Sequence, residues 1–332
     1  MLSHLLVVLS ETSTSFCHYE ARSPRRGGGG GGLIPLERLE ATVVFALKNN
    51  LKVNFLYPAG RLPGAYAAAI EEVEHVKIVP FAARRRHPDA ILVVESGRFP
   101  SADELKGLKG RIFILRLRRA ELPGLSSLLA RLLPRARRVN LVLADAEAYG
   151  EAELAEYRRQ LGKVSDRMSR RPAGGEPPEL NVLTDRLALD RMNNCDAGLT
   201  HLTVAPDGRL HLCPAFYYAR PEDNLGEVRN EVLIANRRLL ELKFAPICRI
   251  CDAYHCKRCV FLNRKLTLEV NTPSSQQCRI AHAEREASRL HRAALAADGR
   301  AAGTADIPEI AYDDPFEVVT EKKLTIAEFK KL

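Results

Sequence analysis

The chain has 332 residues, 46% of them hydrophobic, and its 50 Lys and Arg residues outnumber 41 Asp and Glu residues to give a net charge of +9. This length and apolar content exclude a disordered chain and allow a sizeable core and two domains. No apolar run approaches the roughly 18 residues of a membrane span, and the start, MLSHLLVVLSE, lacks the basic region and cleavage site of a signal peptide. We therefore expect a cytoplasmic protein, in which the eight cysteines favour metal binding over disulfides.

Short apolar runs alternate with amphipathic helices over roughly the first 185 residues. The predicted strands are Leu5–Leu9, Leu51–Tyr57, Val76–Pro80, Ile91–Glu95, Arg111–Leu117, Val139–Ala144 and Leu180–Thr184. The predicted helices are Leu36–Asn49, Ala120–Leu133 and Ala152–Met168. Alternation of strands and helices indicates an α/β protein with a mostly parallel sheet, either open or curled into a barrel.

Two irregular segments and the basic residues bear on possible ligands. The run Gly27–Gly32 is followed by no Lys-Ser or Lys-Thr pair, so it predicts a loop rather than a phosphate cradle. The stretch Arg170–Glu179 is a second predicted loop. The scattered Arg residues leave an acidic peptide or protein open as a partner, whereas no recognition helix or stacking-aromatic motif favours nucleic acid.

The later part of the chain begins with a predicted β-hairpin. Its strands, Thr200–Ala205 and Arg209–Cys213, are joined by the turn Pro206-Asp207-Gly208. Cysteines and polar loops dominate from Cys213 to Cys278, and a helix is predicted from about Arg279 to Ala297. A linker and a tail of mixed acidic and apolar residues follow.

Seven of the eight cysteines lie in the C-terminal half, and their spacing is typical of metal centres. Cys195 and Cys213 come first, then the block C-x2-C-x4-C-x2-C formed by Cys248, Cys251, Cys256 and Cys259, and finally Cys278. A two-residue gap lets both thiolates of a turn face one metal centre, while distant cysteines close the cage. The pattern predicts iron–sulfur clusters, and structural zinc remains the alternative.

The same pattern resembles the SPASM domain of radical SAM peptide maturases. Gly208, Pro214 and the run Leu225-Gly226-Glu227-Val228 agree with that family, although the cysteine block is slightly tighter than usual. The resemblance implies two [4Fe–4S] clusters, one held by Cys248, Cys251, Cys256 and Cys278, the other by Cys195, Cys213 and Cys259. For the second set, either a non-cysteine ligand (Asp190, Asp196 or His211) completes the site or one iron is open.

The N-terminal region resembles a degenerate radical SAM motif. Members of that superfamily carry C-x3-C-x2-C just after their first strand; here the three positions are Ser13, Cys17 and Glu20. A Gly-Gly-Glu-Pro-like turn that grips S-adenosylmethionine is replaced by a turn with Arg61 in place of the carboxylate. One thiolate is too few for the cluster, so we expect no S-adenosylmethionine cleavage. An active enzyme with Glu20 as a ligand remains an alternative, as does Cys17 as an ordinary loop or core cysteine.

Over nearly its whole length the chain resembles the CXXX repeat peptide maturase family. The segments that support this are SFCHYEARS, LIPLERLEA and CKRCVFLNRKLTLEVNTPSSQQC. The resemblance implies maturation of a ribosomally made peptide with Cys-x-x-x repeats, alongside a companion radical SAM enzyme. In a helical peptide such repeats would place their cysteines on one face.

The fold implied is a partial (β/α) barrel of radical SAM type followed by a small SPASM-like domain. The predicted limits are residues 1–187 for the barrel, 188–280 for the iron–sulfur domain, 281–298 for a C-terminal helix and 299–332 for the linker and tail. No catalytic acid or base stands out, although His201, His211, His255, Asp252 and Tyr254 lie near the cysteines. A zinc-stabilised module that binds peptide or nucleic acid is the remaining functional alternative.

Overall fold

The structure is a computed structural model that describes residues 2–21, 32–170, 176–228, 232–310, 312 and 314–316. Residues 27–31 of the glycine run, residues 171–175 of the second predicted loop and the tail after residue 316 lie outside the described residues. The chain divides into two compact units. Unit 1 is Met1–Val94, Arg111–Arg116 and Asp196–Glu241; unit 2 is Glu95–Gly110, Leu117–Cys195 and Leu242–Leu332. The domain limits inferred from the sequence remain a prediction.

Among the described residues, nine strands form one sheet: β1 (His4–Val8), β2 (Lys52–Leu56), β3 (His75–Pro80), β4 (Ile91–Glu95), β5 (Arg111–Leu117), β6 (Ala136–Leu143), β7 (Glu179–Leu180), β8 (His201–Val204) and β9 (Leu210–His211). Their hydrogen-bonded order is β7-β6-β5-β4-β3-β2-β1-β8-β9. The sheet is open and mostly parallel, with an antiparallel β8–β9 pair. The predicted α/β architecture with a partial barrel is therefore confirmed.

Eight α-helices are described: α1 (Leu36–Lys48), α2 (Gly64–Glu71), α3 (Leu125–Leu132), α4 (Glu151–Ser169), α5 (Asn181–Ala188), α6 (Pro214–Ala219), α7 (Val260–Thr267) and α8 (Ser275–Ala297). The helix predicted from Ala120 starts as a 3-10 helix, Arg119–Gly124, and becomes α-helical only at Leu125. Pro123 accounts for this, since proline cannot donate the hydrogen bond of an α-helix interior. Among the described residues, no helix combines the length and apolar character needed to cross a membrane.

Strand β1 lies at the centre of unit 1, parallel to β2 and β8. Its residues Leu5, Val7 and Val8 are fully buried, as expected for a parallel strand covered on both faces. The predicted hairpin is the β8–β9 pair, in which Thr203 is opposite His211. Its turn needs glycine, because Gly208 has a φ of +75°.

The predicted strand Leu180–Thr184 is wrong beyond its first residue. Strand β7 ends at Leu180, and α5 begins at Asn181. The Thr184 hydroxyl accepts a hydrogen bond from the Leu180 amide and donates one to the Leu180 carbonyl, both at 3.0 Å. Such local side-chain bonds favour a turn of helix over a continued strand, and a short apolar run alone does not distinguish the two.

Helix α8 starts earlier than predicted. The Ser274 side chain accepts a hydrogen bond from the Gln277 amide and caps the helix. Helix α8 therefore includes Cys278 in its first turn.

Candidate metal centre

Four cysteine side chains of unit 2, Cys248, Cys251, Cys256 and Cys278, line one pocket. We call this the four-cysteine pocket. Its other walls include Met192, Ile247, Arg258, Ala281, His282 and Pro315. The four cysteines are the set that the family resemblance assigns to one cluster. The structure places them together, and their role as ligands remains a prediction.

Local backbone turns direct these side chains into the pocket. A 3-10 turn at Cys248–Ile250 is followed by Cys251, whose amide donates to the Cys248 carbonyl at 3.2 Å. A further turn brings the Cys256 amide to the Ala253 carbonyl at 2.9 Å. Cys278 comes from the first turn of α8, 19 residues after Cys259, the last member of the block. Two short-range turns and the start of α8 thus bring the four cysteines to one pocket.

Burial dominates the electrostatics of the thiols. Burial raises the pKa of Cys248 and that of Cys256 to about 12. The pKa values of Cys251 and Cys278 are also raised, first by burial. Neighbouring thiolate charge adds to the rise at Cys278, where Cys256 and Cys248 both contribute. The thiols are therefore protonated at neutral pH, and a bound metal must displace their protons.

Hydrogen-bond donors surround the sulfurs. The Ala253 amide donates to Cys251 Sγ at 3.5 Å, and the Arg258 amide donates to Cys256 Sγ at 3.4 Å. Nε2 of His282 lies 3.5 Å from Cys251 Sγ. The Arg258 guanidinium acts against burial and lowers the pKa of Cys248. Such donors and charges stabilise thiolates and tune a bound cluster.

Arg258 and His282 were not predicted from the sequence. A signal for His282 was present, because it follows Cys278 by four residues, the spacing that places two side chains on one face of a helix; the predicted helix, however, began only at about Arg279. Arg258 adopts a left-handed backbone with φ of 44°, rare for a residue with a side chain. Its position beside the thiols depends on that local backbone, which the spacing does not predict.

A buried polar network anchors the cysteine block to α8. Asp252 accepts two hydrogen bonds from Arg285, at 2.7 and 2.6 Å, and Arg285 is fully buried. Arg186 lies 3.5 Å from the Asp252 carboxylate and 4.4 Å from the Tyr254 ring centre. Asp252 and Tyr254 thus hold the loop in position.

His255 is anchored in a similar way. Its Nε2 lies 3.1 Å from one oxygen of Glu284, whose other oxygen accepts a bond from Tyr157 at 2.7 Å. Glu284 belongs to α8 and Tyr157 to α4. The cysteine block is therefore fixed from two helices of unit 2.

A [4Fe–4S] cluster and a single zinc ion make different demands on the four cysteines. Zinc needs four donors about 2.0–2.3 Å from one point. Within the part of the chain that the structure describes, no three His, Cys, Asp or Glu side chains are grouped closely enough to hold one metal ion. In a [4Fe–4S] cluster each of four thiolates binds a different iron, so the sulfurs are spread around a larger body.

The other predicted set is divided between the units. Cys213 precedes α6 in unit 1, while Cys195 and Cys259 belong to unit 2. The Cys195 amide donates to the Lys257 carbonyl at 2.8 Å, which fixes its segment beside the cysteine block. The ligand role of this set remains a prediction.

The three suggested extra ligands differ in burial. The Asp190 side chain is 92% exposed. Asp196 is half-buried in a left-handed turn. His211 is fully buried, with Nε2 3.5 Å from the Asp207 carboxylate.

The degenerate radical SAM positions lie in a segment of unit 1, residues 10–21, which we call the N-terminal loop. The buried Ser13 hydroxyl donates to the Leu56 carbonyl at 2.8 Å. The Glu20 carboxylate accepts a hydrogen bond from Arg116 at 2.9 Å. Only Cys17 offers a thiolate, whereas a site-differentiated cluster needs three. These residues do not fit the radical SAM cluster.

Exposed arginines mark the carboxyl ends of β2 and β3 in unit 1. Arg61 follows β2, and Arg85 and Arg86 follow β3; all three are exposed. The Arg86 guanidinium donates to the Ala59 carbonyl and joins the two loops. We call these residues the basic edge. Ligands of parallel α/β folds bind at this end of the strands.

No protein-family model matches the sequence, and no curated protein matches it. Solved structures do match. One is native anSMEcpe with bound AdoMet (S-adenosylmethionine), at TM-score 0.53 and 12% identity over 89% of this chain and 99% of that chain. The fold of the chain is thus similar to that of this structure, a radical SAM maturase.

Two further radical SAM maturase structures contain a peptide. Native anSMEcpe with AdoMet and the Cp18Cys peptide matches at TM-score 0.56 and 13% identity, and the form with the Kp18Cys peptide at 0.54 and 12%. Each alignment covers 89% of this chain and 99% of the other. At this identity the likeness shows the fold alone.

Proposed function

We propose that the chain takes part in maturing a ribosomally made, cysteine-repeat peptide, as an iron–sulfur protein that does not itself cleave S-adenosylmethionine. The observation that carries the proposal is the contrast within a radical SAM maturase fold: four cysteines line one pocket, while Cys17 is the only thiol of the N-terminal loop. The resemblance to CXXX repeat peptide maturases supplies the peptide class and the companion radical SAM enzyme.

In this proposal the four-cysteine pocket holds one [4Fe–4S] cluster, and Cys195, Cys213 and Cys259 hold a second. When bound, such clusters supply one-electron transfer or, at an open iron, a Lewis-acid site for a substrate thiolate. The chain's own groups prepare the pocket for thiolates. The amides of Ala253 and Arg258 donate to sulfur, and the Arg258 guanidinium offsets negative charge at Cys248.

The peptide would dock on the basic edge of unit 1. Its exposed arginines favour acidic residues, and they disfavour S-adenosylmethionine, whose sulfonium and ammonium groups are cationic. Structural neighbours that contain peptides with Cys in their names support a peptide as the partner class. The companion enzyme would generate the radical.

The two alternatives make different demands on the same residues. An active enzyme with Glu20 as an iron ligand requires Glu20 to leave Arg116, its partner at 2.9 Å. A zinc module requires four donors around one ion, a grouping not found among the described residues. The metal and 5′-deoxyadenosine assays below distinguish both alternatives from the proposal.

The proposal is tested with a fluorescein-labelled peptide that has three Cys-x-x-x repeats and an acidic leader. Its binding to anaerobically purified protein is measured by fluorescence anisotropy. We expect binding, with Arg61→Glu/Arg85→Glu weakening it at least roughly tenfold, or about 1.4 kcal/mol. Arg191→Glu is the matched control, because Arg191 is exposed in unit 2 and its reversal should leave affinity unchanged.

The same protein is assayed for metal and for 5′-deoxyadenosine. We expect iron and acid-labile sulfide, and no 5′-deoxyadenosine when dithionite and S-adenosylmethionine are added. Production of 5′-deoxyadenosine that Cys17→Ala abolishes would establish the active-enzyme alternative. Zinc without acid-labile sulfide would establish the alternative of a zinc-stabilised binding module.

A further inference from the structure

Arg116 is a buried cation in an apolar strand. It is the sixth residue of β5, RIFILRL, and its side chain is 1% exposed. A buried charge is strongly destabilising unless it is paired and hydrogen-bonded. The hydrogen-bond partners of Arg116 therefore indicate its structural role.

All three hydrogen bonds of Arg116 described here go to the N-terminal loop. Its Nε donates to the Cys17 carbonyl at 3.1 Å. One terminal nitrogen donates to the Tyr19 carbonyl at 2.8 Å and to the Glu20 carboxylate at 2.9 Å. Two backbone carbonyls and one carboxylate thus converge on a single guanidinium, which links residues 99 positions apart.

The rest of the loop is ordered by bonds that need no metal. Ser13 is held between the Ser10 amide, at 3.0 Å, and the Leu56 carbonyl, at 2.8 Å. The Ser15 hydroxyl accepts from the Ala21 amide at 2.7 Å. The Tyr19 ring stacks on Tyr218 with centroids 5.3 Å apart. The two positions that would supply the missing thiolates, 13 and 20, are engaged in this network.

We infer that Arg116 takes the place of a cluster in this fold: its guanidinium organises the loop around Cys17 and prevents iron from binding there. A metal at the loop would have to displace a cation bound by the loop's own carbonyls. The inference concerns unit 1 only. It goes beyond the proposed function and is independent of the cluster proposed for the four-cysteine pocket.

Restoring the missing thiolates tests this directly. Ser13→Cys/Glu20→Cys recreates C-x3-C-x2-C, and after anaerobic reconstitution we expect the same iron content as in wild type. Adding Arg116→Ala to that double variant should raise the content by about four irons per chain. Four extra irons in the double variant with Arg116 present would overturn the inference, as would no gain in the triple variant.

A second measurement needs no variant of the loop and keeps the inference testable if the triple variant fails to fold. Hydrogen exchange is followed in peptides covering residues 10–21, where the Ser13 and Thr14 amides donate to Ser10 and Tyr57 carbonyls. In wild type we expect protection to be unchanged after iron is removed by chelation. In Arg116→Met the amides of the N-terminal loop should exchange at least tenfold faster than in wild type. In Arg116→Lys their exchange rate should lie between those of wild type and Arg116→Met.

The readouts distinguish the two proposals. Loss of protection on chelation of wild type would show that metal orders the loop and would overturn the role of Arg116. Wild-type protein without iron would overturn the proposed function and leave the exchange result for Arg116 intact.

Discussion

The N-terminal loop and the four-cysteine pocket both resemble iron–sulfur motifs, but the loop keeps only Cys17 and the surroundings of the two sites differ. Around the pocket, amides and Arg258 face sulfur. Around Cys17, the nearby cation is Arg116, and it faces backbone carbonyls and Glu20. The spacing of a motif predicts which residues lie close together. Whether a metal can bind them depends on the atoms that the surrounding hydrogen-bond donors and cations face.

The largest effect is expected from Cys278→Ser in the four-cysteine pocket. The variant should lose about four irons per chain and show a markedly lower melting temperature, because binding of the cluster is coupled to folding of its site. Iron analysis and thermal unfolding of anaerobic protein measure both. Ser288→Ala, another buried substitution on α8, should keep its iron. A soluble Cys278→Ser protein with unchanged iron would contradict the assignment.

Arg285→Met is expected to destabilise unit 2 by roughly 3 kcal/mol, because it leaves the Asp252 carboxylate without its bidentate partner. Urea unfolding measures the change in free energy. Arg289→Met is the matched control on the same helix: its ion pair with Glu286 is more exposed, so its removal should cost about 0.5 kcal/mol or less. Equal effects of the two substitutions would contradict the anchoring role of Arg285.

Gly208→Ala should destabilise unit 1 by about 1–3 kcal/mol without changing the iron content. A Cβ there would lie 2.7 Å from Arg38 Cγ, on a backbone with φ of +75°. Gly60→Ala is the control, since a Cβ at Gly60 meets no atom within 4 Å. Loss of iron in a folded Gly208→Ala protein would show that the β8–β9 turn, five residues before Cys213, is needed for cluster binding.

The smallest effect is expected from Arg258→Met, which should move the reduction potential of the pocket's cluster to a more negative value while iron content stays constant. Removing a cation near Cys248 makes the reduced, more negative state less favourable. Spectroelectrochemical titration measures the potential. Arg258→Lys keeps the charge and should shift it less. Identical potentials in wild type and Arg258→Met would rule out an electrostatic role for this guanidinium.

Much of the fold was predictable from the sequence, because apolar runs mark β1 to β6 within a few residues. Helices α2, α6 and α7 were missed; they have 8, 6 and 8 residues, too short for a clear periodic signal. Leu180–Thr184 was misread because the Thr184 bonds to Leu180 override a short apolar pattern.

The candidate site was predictable in part. Spacing and resemblance grouped the four cysteines that line the pocket. Arg116 was not identified, because its role depends on packing between residues 99 positions apart. The signal for it in the sequence is a charged residue inside the apolar strand RIFILRL.

The most direct test of the contrast is the iron and acid-labile sulfide content of anaerobically purified wild type and Cys17→Ser, measured side by side. We expect about eight irons per chain in both, corresponding to two four-iron clusters outside the N-terminal loop. About twelve irons in wild type, falling to about eight in Cys17→Ser, would show that the N-terminal loop holds a cluster and would contradict the account.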